Sequence, residues 1–494
     1  MKGVSFSARV DTLSPPAGEP AGMPAEFDDV VARVRERVVP DEAERERLDS
    51  VVATLRDRTE AALAELPVDA NAVEVVLVGS TARDTWLAGD RDVDLFVRFP
   101  TDLSREELAE FGLDVGHAVL PDGHEEYAEH PYVTGAVEGF DVDLVPCFAV
   151  GNATAIRSAV DRTPFHTAYL AERIDADLAG EVRVCKQFLA GIGVYGSDLR
   201  TRGFSGYLTE LLVLEYDGFR GFVAAAADWH PPVELDPADH GERETASPSR
   251  NDEAGSTDLA FENPLVVVDP TDPGRNVAAV CSAEAVARLQ HYARELLADP
   301  REALFDPATR EPDPLDPAAV RERFEARGTT PVAVRFAAPD VVDDQLYPQL
   351  ARSRDGVVDE LERRGFDVLR SAAFADESAV LLVELAVARL PAVERHEGPP
   401  VDVRDHAEGF DEAYADDSAV YGPFLDGDRY VVERDREFET AAEFLRSDAL
   451  LGVALGAHVE SRLRSEYEVL VGDDVADLAA EFGRELARYL DPHP

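Results

Sequence analysis

The sequence predicts an α+β protein of several domains, and the chain length and three patterns along the chain lead to that prediction. The chain has 494 residues, enough for about three domains with substantial buried cores. Short runs of β-branched and aliphatic residues between positions 73 and 148 predict strands. Residues 151–230 are mainly helical in their periodicity. Residues 331–390 then follow the order strand, helix, strand, strand, which predicts an antiparallel sheet with helices on one face.

Changes in composition divide the chain into four predicted segments. Residues 1–24 are rich in Pro, Ala and Gly and predict a flexible extension. Residues 25–150 begin with two helical segments that we expect to flank a sheet. Residues 151–300 predict a mainly helical domain, and within it residues 235–259 are so polar and acidic that they predict a disordered insertion. Residues 301–494 form the remaining α+β region.

The chain is organised around one stretch of the second segment. Its first strand, Val75–Val78, ends at Gly79 and Ser80. A glycine lets the backbone approach a ligand, and a small hydroxyl beside unpaired N–H groups suits phosphate oxygens. The next strand begins with Asp92 and Asp94, which share a face because residues two apart in a strand do so. Such carboxylates, together with substrate phosphates, suit Mg²⁺. The alternative is a surface hairpin with two solvated aspartates.

These residues resemble the signature of a known group of enzymes. Gly-Ser at the end of one strand and Asp-x-Asp in the next are similar to the nucleotidyltransferase superfamily that includes DNA polymerase β. The longer string resembles the archaeal (class I) CCA-adding tRNA nucleotidyltransferases, and it comprises Gly79, Ser80, Ala82, Arg83, Thr85, Leu87, Gly89, Asp92 and Asp94.

The resemblance implies both an architecture and an activity. The architecture is a polymerase β-like nucleotidyltransferase head at 25–150 and a nucleotide-selecting neck at 151–300. A body and tail at 301–494 would bind the acceptor arm and TψC region of tRNA. The implied activity is template-independent addition and repair of the 3′-terminal CCA of tRNA from CTP and ATP, with release of pyrophosphate. The resemblance also suggests a homodimer.

A third carboxylate is available before residue 150. The strand predicted from Phe140 to Val145 carries Asp141 and Asp143 on one face. Two-metal phosphoryl transfer holds its metal ions between several carboxylates, here from two neighbouring strands. The strand face does not separate the two aspartates, but the resemblance assigns the role to Asp143. Together with the Asp-x-Asp pair, it implies three catalytic, metal-binding residues: Asp92, Asp94 and Asp143.

The resemblance further implies a set of contacts to the nucleotide. Lys186 lies in a predicted helix, and the sequence contains one other lysine, Lys2. A compact ammonium in a chain that otherwise uses arginine suits a triphosphate, and the alternative is a stray surface lysine. For His166 the alternative is a histidine at a capped helix start, with Thr163 as the predicted N-cap and Pro164 at the first helical position. For Tyr195 it is a core position. The predicted contacts to ATP or CTP are Gly79, through its backbone, and Ser80, Arg83, His166, Lys186 and Tyr195.

Arg275 is the candidate for reading the nucleobase. The strand 264–269 and the turn 270–279 match the family pattern, which puts Arg275 near the base. A guanidinium only donates hydrogen bonds. Cytosine N3 and adenine N1 accept them, whereas uracil N3 and guanine N1 carry protons. One arginine would therefore favour C and A without a template. The alternative is a structural role in capping carbonyls of the turn.

The charge balance predicts the solvent in which the protein works. The chain has 100 Asp and Glu against 48 Lys and Arg, a formal net charge of −52. Such a charge opposes compaction and repels nucleic acid at low ionic strength. At molar salt the Debye length shrinks to about 3 Å, which screens the repulsion. The composition therefore predicts an extreme halophile, in which RNA binding depends on shape, stacking and hydrogen bonds.

Several other classes of protein are excluded by the sequence. Cys147, Cys185 and Cys281 are too few and scattered for a disulfide framework or a zinc site. No apolar run reaches membrane-spanning length and no secretory signal is visible, so we expect a cytoplasmic protein. Two alternatives for the function stay open. One is another superfamily member, such as a poly(A) polymerase or a small-molecule nucleotidyltransferase. The other is a catalytically silent RNA-binding protein on the same head, which the three carboxylates weigh against.

Overall fold

The structure, a computed structural model, describes residues 25–127, 129–240 and 263–494. The predicted extension 1–24 lies outside the described residues, as do residues 241–259 of the predicted insertion. Two compact units are present. The first runs to Tyr195 and resumes over Phe204–Pro307, and the second comprises Gly196–Gly203 and Ala308–Pro494. None of the helices in the described ranges is long and apolar enough to cross a membrane.

The first unit contains a five-stranded sheet that corresponds to the predicted head. Its strands lie in the order β1-β2-β5-β4-β3, with β2 and β5 parallel and the other neighbours antiparallel. The elements of this region are α1 (Ala25–Val38), α2 (Glu42–Leu63), β1 (Glu74–Val78), α3 (Gly79–Ala82), β2 (Asp92–Phe99), α4 (Arg105–Val119), β3 (His124–Tyr127), β4 (Pro131–Val137) and β5 (Phe140–Phe148).

Helices α2 and α4 cover one face of this sheet. Both begin with a capping box, in which Asp41 and Ser104 accept the backbone N–H of a glutamate three residues later. Their apolar stripes pack on the alternate strand residues, such as Val93, Leu95 and Leu144, in one buried core. Helix α1 differs from the expectation that both N-terminal helices flank the sheet. Its apolar face packs instead with α6 (Ala176–Gly191) in a separate core.

The rest of the first unit is mainly helical, as the periodicity predicts. A three-stranded sheet in the order β6-β7-β8 accompanies the helices. Thr163 is the first residue of α5 rather than its N-cap, which is Arg162. The elements are α5 (Thr163–Ala171), α6, α7 (Gly206–Glu215), α8 (Phe219–Ala227), β6 (Val233–Leu235), β7 (Leu265–Asp269), β8 (Asp272–Asn276) and α9 (Ala283–Ala298).

The second unit is built from two antiparallel sheets and the helices that pack on them. One sheet has the order β10-β11-β9-β15 and the other β12-β14-β13. The α+β multidomain class is therefore confirmed. The elements are α10 (Pro317–Arg327), β9 (Thr330–Ala337), α11 (Asp343–Arg363), β10 (Val368–Ala375), β11 (Ser378–Leu385), β12 (Val393–Pro400), α12 (Arg404–Tyr414), β13 (Val420–Asp426), β14 (Arg429–Asp435), α13 (Ala441–Leu445), α14 (Ala457–Ser465), β15 (Glu468–Val471) and α15 (Ala479–Leu490).

All three cysteines of the chain are buried in the first unit. Cys147 lies in β5, where it packs with Phe96 and Val145. Cys185 and Cys281 belong to the core that surrounds α6. They are thus spread over two separate cores.

Candidate active site

The parallel pairing of β2 and β5 brings the predicted carboxylates together. In the register of the two strands, Asp92 is the partner of Asp141, and Asp94 is the partner of Asp143. All four side chains therefore lie on one face of the sheet, because each is two residues from the next along its strand. The residues between them, such as Val93 and Val142, are buried on the face that α2 and α4 cover. The acidic face is thus the one that α2 and α4 do not cover.

The two aspartates of β5 differ in their surroundings, which the strand face alone did not reveal. Asp143 is partly buried and lies between Asp94 on β2 and Thr134 on β4. Asp141 is exposed at the start of the strand, beside Asp92. Asp94 and Asp143 are therefore the more enclosed of the two carboxylate pairs.

The Gly79–Ser80 turn lies directly against Asp94. Gly79 has φ +76°, and a Cβ added there would lie 2.1 Å from Oδ2 of Asp94. A side chain at this position would collide with the carboxylate and would also strain the backbone, since φ is in the left-handed region. Only a glycine allows the turn and the carboxylate to come this close. Ser80 follows as the second residue of the short helix α3 and is partly buried.

The electrostatics of this acidic face favour a bound cation. Burial, with the charges of Asp143 and Asp92, raises the pKa of Asp94 to about 6. Burial and neighbouring carboxylates also raise the pKa of Asp92 and the pKa of Asp143. A divalent cation would relieve this repulsion. No three His, Cys, Asp or Glu side chains within the described ranges enclose a metal site by themselves. Mg²⁺ does not need such a cage, because one or two carboxylates and substrate phosphates suffice.

A second group of predicted residues meets around Glu210 of α7. This carboxylate is fully buried and pairs with both Arg83 and Lys186. The Arg83 guanidinium donates from Nε to Oε2 over 2.9 Å, and Lys186 Nζ is 3.3 Å from Oε1. Thr85 accepts from Lys186 through its backbone oxygen, 3.0 Å away, and its hydroxyl donates to Glu210. Tyr195 lies nearby, since a Cβ on Gly206 would be 3.3 Å from its hydroxyl and 3.9 Å from Lys186 Nζ.

Lys186 is therefore buried, with 2% of its side chain exposed, and is not the surface lysine of the alternative reading. Burial lowers the pKa of Lys186, whereas the Glu210 charge opposes that change. The pKa of Glu210 is lowered: burial alone would raise it, but the charges of Lys186 and Arg83 outweigh that effect. Two cations thus share the Glu210 carboxylate, and the charge of Asp90 also acts on Lys186.

The third group of predicted residues meets around Asp269, the last residue of β7. His166 contacts Asp269 Oδ2 through Nε2 at 2.8 Å, and Arg275 donates from Nη1 to the same oxygen at 2.9 Å. The His166 ring also stacks on Tyr207, with centroids 3.9 Å apart. Burial lowers the pKa of His166. Burial alone would raise the pKa of Asp269, but hydrogen bonds from His166 and Thr271 hold it well below its usual range.

Sequence reasoning missed Glu210, Asp269 and Tyr207. In so acidic a chain, one more carboxylate carries little information. A usable signal was present in the immediate neighbours. Glu210 stands in the helical run Leu208-Thr-Glu-Leu-Leu, and Asp269 closes the strand Leu265-Val-Val-Val-Asp. When apolar residues surround a single charged residue in a helix or strand, that residue is expected to be buried whichever way it faces. A buried charge needs a partner of opposite charge.

The head sheet, its Gly-Ser turn and the paired carboxylates define a nucleotidyltransferase of the polymerase β type. The family models that match the chain agree with this class. The model described as "Nucleotidyltransferase domain" matches residues 59–166, and "tRNA nucleotidyltransferase, second domain" matches residues 180–306. The model "CCA-adding enzyme, C-terminal domain" matches residues 327–472.

Relatives that match most of the chain give the family. The CCA-adding enzyme of Haloarcula marismortui is 61% identical over 487 residues, covering 96% of this chain and 100% of the relative. That of Halobacterium salinarum is 62% identical and covers 94% of this chain and 98% of the relative. That of Methanoregula boonei is 44% identical, with 81% and 84% covered. The chain belongs to the CCA-adding enzyme family, and the first two organisms fit the prediction of an extreme halophile.

Proposed function

We propose that this chain adds and repairs the 3′-terminal CCA of tRNA, using CTP and ATP and releasing pyrophosphate. The observation that carries the proposal is the register of β2 and β5, which sets Asp94 beside Asp143. The Gly79 turn packs against the carboxylate of Asp94. This arrangement offers acidic ligands next to a backbone that phosphate oxygens can approach.

Divalent metal use follows from this class of enzyme, and we propose Mg²⁺ held by Asp92, Asp94 and Asp143. Their raised pKa values support this role, because each ionised carboxylate is repelled by its neighbours until a cation is present. When bound, the metal would favour ionisation of the RNA 3′-hydroxyl and neutralise charge on the triphosphate.

The remaining predicted residues are proposed to hold the nucleotide. Ser80 lies in the turn beside the carboxylates, where its hydroxyl would donate to a phosphate oxygen. Arg83 and Lys186 bring two cationic side chains to the Glu210 cluster, which supports a role toward the triphosphate. His166 and Tyr195 would contact the sugar and phosphates. The attacking 3′-hydroxyl of RNA would approach the α-phosphate from the side of Asp143.

Base selection is proposed to depend on Arg275. Its side chain is 36% exposed while one guanidinium nitrogen is held by Asp269, which leaves donors for a base. The alternative of capping turn carbonyls is not favoured, since Arg275 donates to this carboxylate instead. These donors would form hydrogen bonds with cytosine N3 and adenine N1, but not with uracil N3 and guanine N1, which carry protons.

The test is an extension assay with the purified chain in molar KCl and Mg²⁺. The substrate is a tRNA truncated before CCA, and a tRNA with a complete CCA end is the control. We expect incorporation of labelled CTP and then ATP, with growth ending after A and no extension of the control. Unlimited addition of A would instead identify a poly(A) polymerase. An absence of addition with retained tRNA binding would identify a silent RNA-binding protein.

Two further expectations belong with this proposal. A homodimer stays a prediction, which sedimentation of the full chain in molar KCl would test. We propose that the protein is cytoplasmic, because its proposed substrate is tRNA.

A further inference from the structure

Asp269 ties together two residues that we place at the nucleotide. None of its side chain is exposed. One oxygen, Oδ2, accepts from Arg275 Nη1 at 2.9 Å and lies 2.8 Å from His166 Nε2. The other, Oδ1, accepts from the backbone N–H and hydroxyl of Thr271 at 2.9 and 2.8 Å, and from the Tyr207 hydroxyl at 3.4 Å. The carboxylate therefore joins α5, α7 and the turn between β7 and β8.

This arrangement restricts the direction in which Arg275 can present its donors. The guanidinium is planar, so holding one nitrogen on a buried carboxylate leaves the other donors in a defined plane. Asp269 is itself held from its other oxygen by the Thr271 backbone, a contact typical of an Asp-led turn. The fully buried Asp269 thereby holds the long, half-exposed side chain of Arg275 in one orientation.

We propose that Asp269 is a positioning residue for base selection, acting through Arg275. The inference rests on the proposed function, in which Arg275 reads the base. Discrimination between an acceptor at cytosine N3 and a donor at uracil N3 requires that the arginine donors stay in place. A mobile guanidinium would turn away from the uracil N–H and find the neighbouring carbonyl oxygens instead. His166 shares Oδ2 with Arg275, so the same carboxylate aligns the base and the sugar contacts.

Two substitutions separate this role from a merely structural one. Asp269→Asn keeps the shape of the side chain but replaces one oxygen by an NH₂ group. Whichever way the amide turns, this group faces either the donors of Arg275 and His166 or those of Thr271. Asp269→Ser retains an oxygen for the Thr271 backbone N–H, as serine does in similar turns, and removes the oxygen that holds Arg275. The serine variant therefore tests the proposal if the asparagine variant does not fold, and thermal unfolding in molar KCl checks both.

The measurement is the ratio of kcat/KM for CTP over UTP on a tRNA truncated before CCA. We expect both Asp269 variants to lower this ratio about tenfold or more, the effect of losing a hydrogen bond to a charged group. The matched control is Glu210→Gln, which alters another fully buried carboxylate that pairs with cations in the same unit but has no contact with Arg275. It should raise KM for both nucleotides and leave the ratio unchanged. A similar fall in the control would overturn the proposal.

A double-mutant cycle with Arg275→Ala completes the test. If Asp269 acts through Arg275, adding Asp269→Ser to Arg275→Ala should not lower the ratio further. Additive losses would overturn the proposal. A fall in the ratio for Arg275→Ala with none for either Asp269 variant would also overturn it, and would leave the proposed function intact. An unchanged ratio in Arg275→Ala would instead refute base reading by Arg275, and the role of Asp269 with it.

Discussion

At the scale of single residues, the site depends on carboxylates that lie closer to one another than solvated aspartates would. Asp94 and Asp143 are partners in neighbouring parallel strands, and Asp141 is one pair further along the same face. The three side chains have the same chemistry, so their surroundings decide which of them can bind a metal. Substitution can therefore separate the two aspartates of β5.

We expect Asp143→Asn to abolish nucleotide addition and Asp141→Asn to retain most of it. Loss of a metal ligand removes several kcal/mol of transition-state stabilisation, which corresponds to a decrease of about a thousandfold or more in kcat. Asp141 is exposed at the start of β5, beyond the pair nearest the Gly79 turn. The assay is CTP incorporation at saturating Mg²⁺. The reverse order of activities would make Asp141 the ligand.

The raised pKa of Asp94 predicts that metal binding depends on pH. A cation binds the ionised carboxylate, so protons compete with it below about 6. We expect the Mg²⁺ concentration for half-maximal activity to rise by up to about tenfold per pH unit below that value and to change little above about pH 7. Saturating Mg²⁺ should restore the rate at moderately acidic pH. A rate that falls equally at all Mg²⁺ concentrations would contradict this competition.

The same pKa has a consequence for stability when no metal is bound. A carboxyl whose pKa is raised in the folded state stabilises the fold fully only below the pKa of an unfolded Asp, and this contribution is lost as the pH rises through about 6. Asp94→Asn should therefore raise the free energy of unfolding at neutral pH in the presence of a chelator while it abolishes activity. Urea unfolding at constant KCl would measure this gain, and an unchanged or lower stability would contradict it.

At the scale of elements, the turn from β1 into α3 is the part whose geometry is most constrained. Gly79→Ala would introduce a Cβ 2.1 Å from Asp94 Oδ2 and would require φ near +76°. We expect kcat to fall strongly because the carboxylate must move. Gly89→Ala is the matched control, since Gly89 has φ +88° but no atom within 4 Å of the added Cβ. Both changes should lower stability by about 1 kcal/mol through backbone strain. Equal losses of activity would refute a specific role for the contact with Asp94.

Elements of this chain were more predictable from the sequence than the way in which they meet. Alternation placed Asp92 and Asp94 on one face of a strand, and helical periodicity predicted the mainly helical part of the first unit. Periodicity does not say which strands are neighbours, so the pairing of Asp94 with Asp143 needed the structure. The partners of Lys186 and Arg275 were also inaccessible, because contacts between residues far apart in the chain leave no local pattern.

At the scale of the whole molecule, a formal net charge of −52 sets the conditions for stability. Raising KCl from about 0.1 to about 1 M shortens the Debye length from about 10 to about 3 Å, so self-repulsion weakens. We expect Tm to rise over this range. A neutral osmolyte at equal osmolality is the control, because it changes hydration without screening charge. An equal rise with the osmolyte would show that charge screening is not the cause.

The placement of the three cysteines gives the molecule internal reporters of local opening. Buried thiols react with a disulfide reagent only when the structure around them opens, and the rate measures how often that happens. Cys147 would report on the core of the head sheet, and Cys185 and Cys281 on the helical core beside it. Residues 308–494 contain no cysteine, so labelling followed over time would register unfolding of the first unit while the second stays silent. Opening of the first unit of the native chain could therefore be timed separately, without introducing a probe.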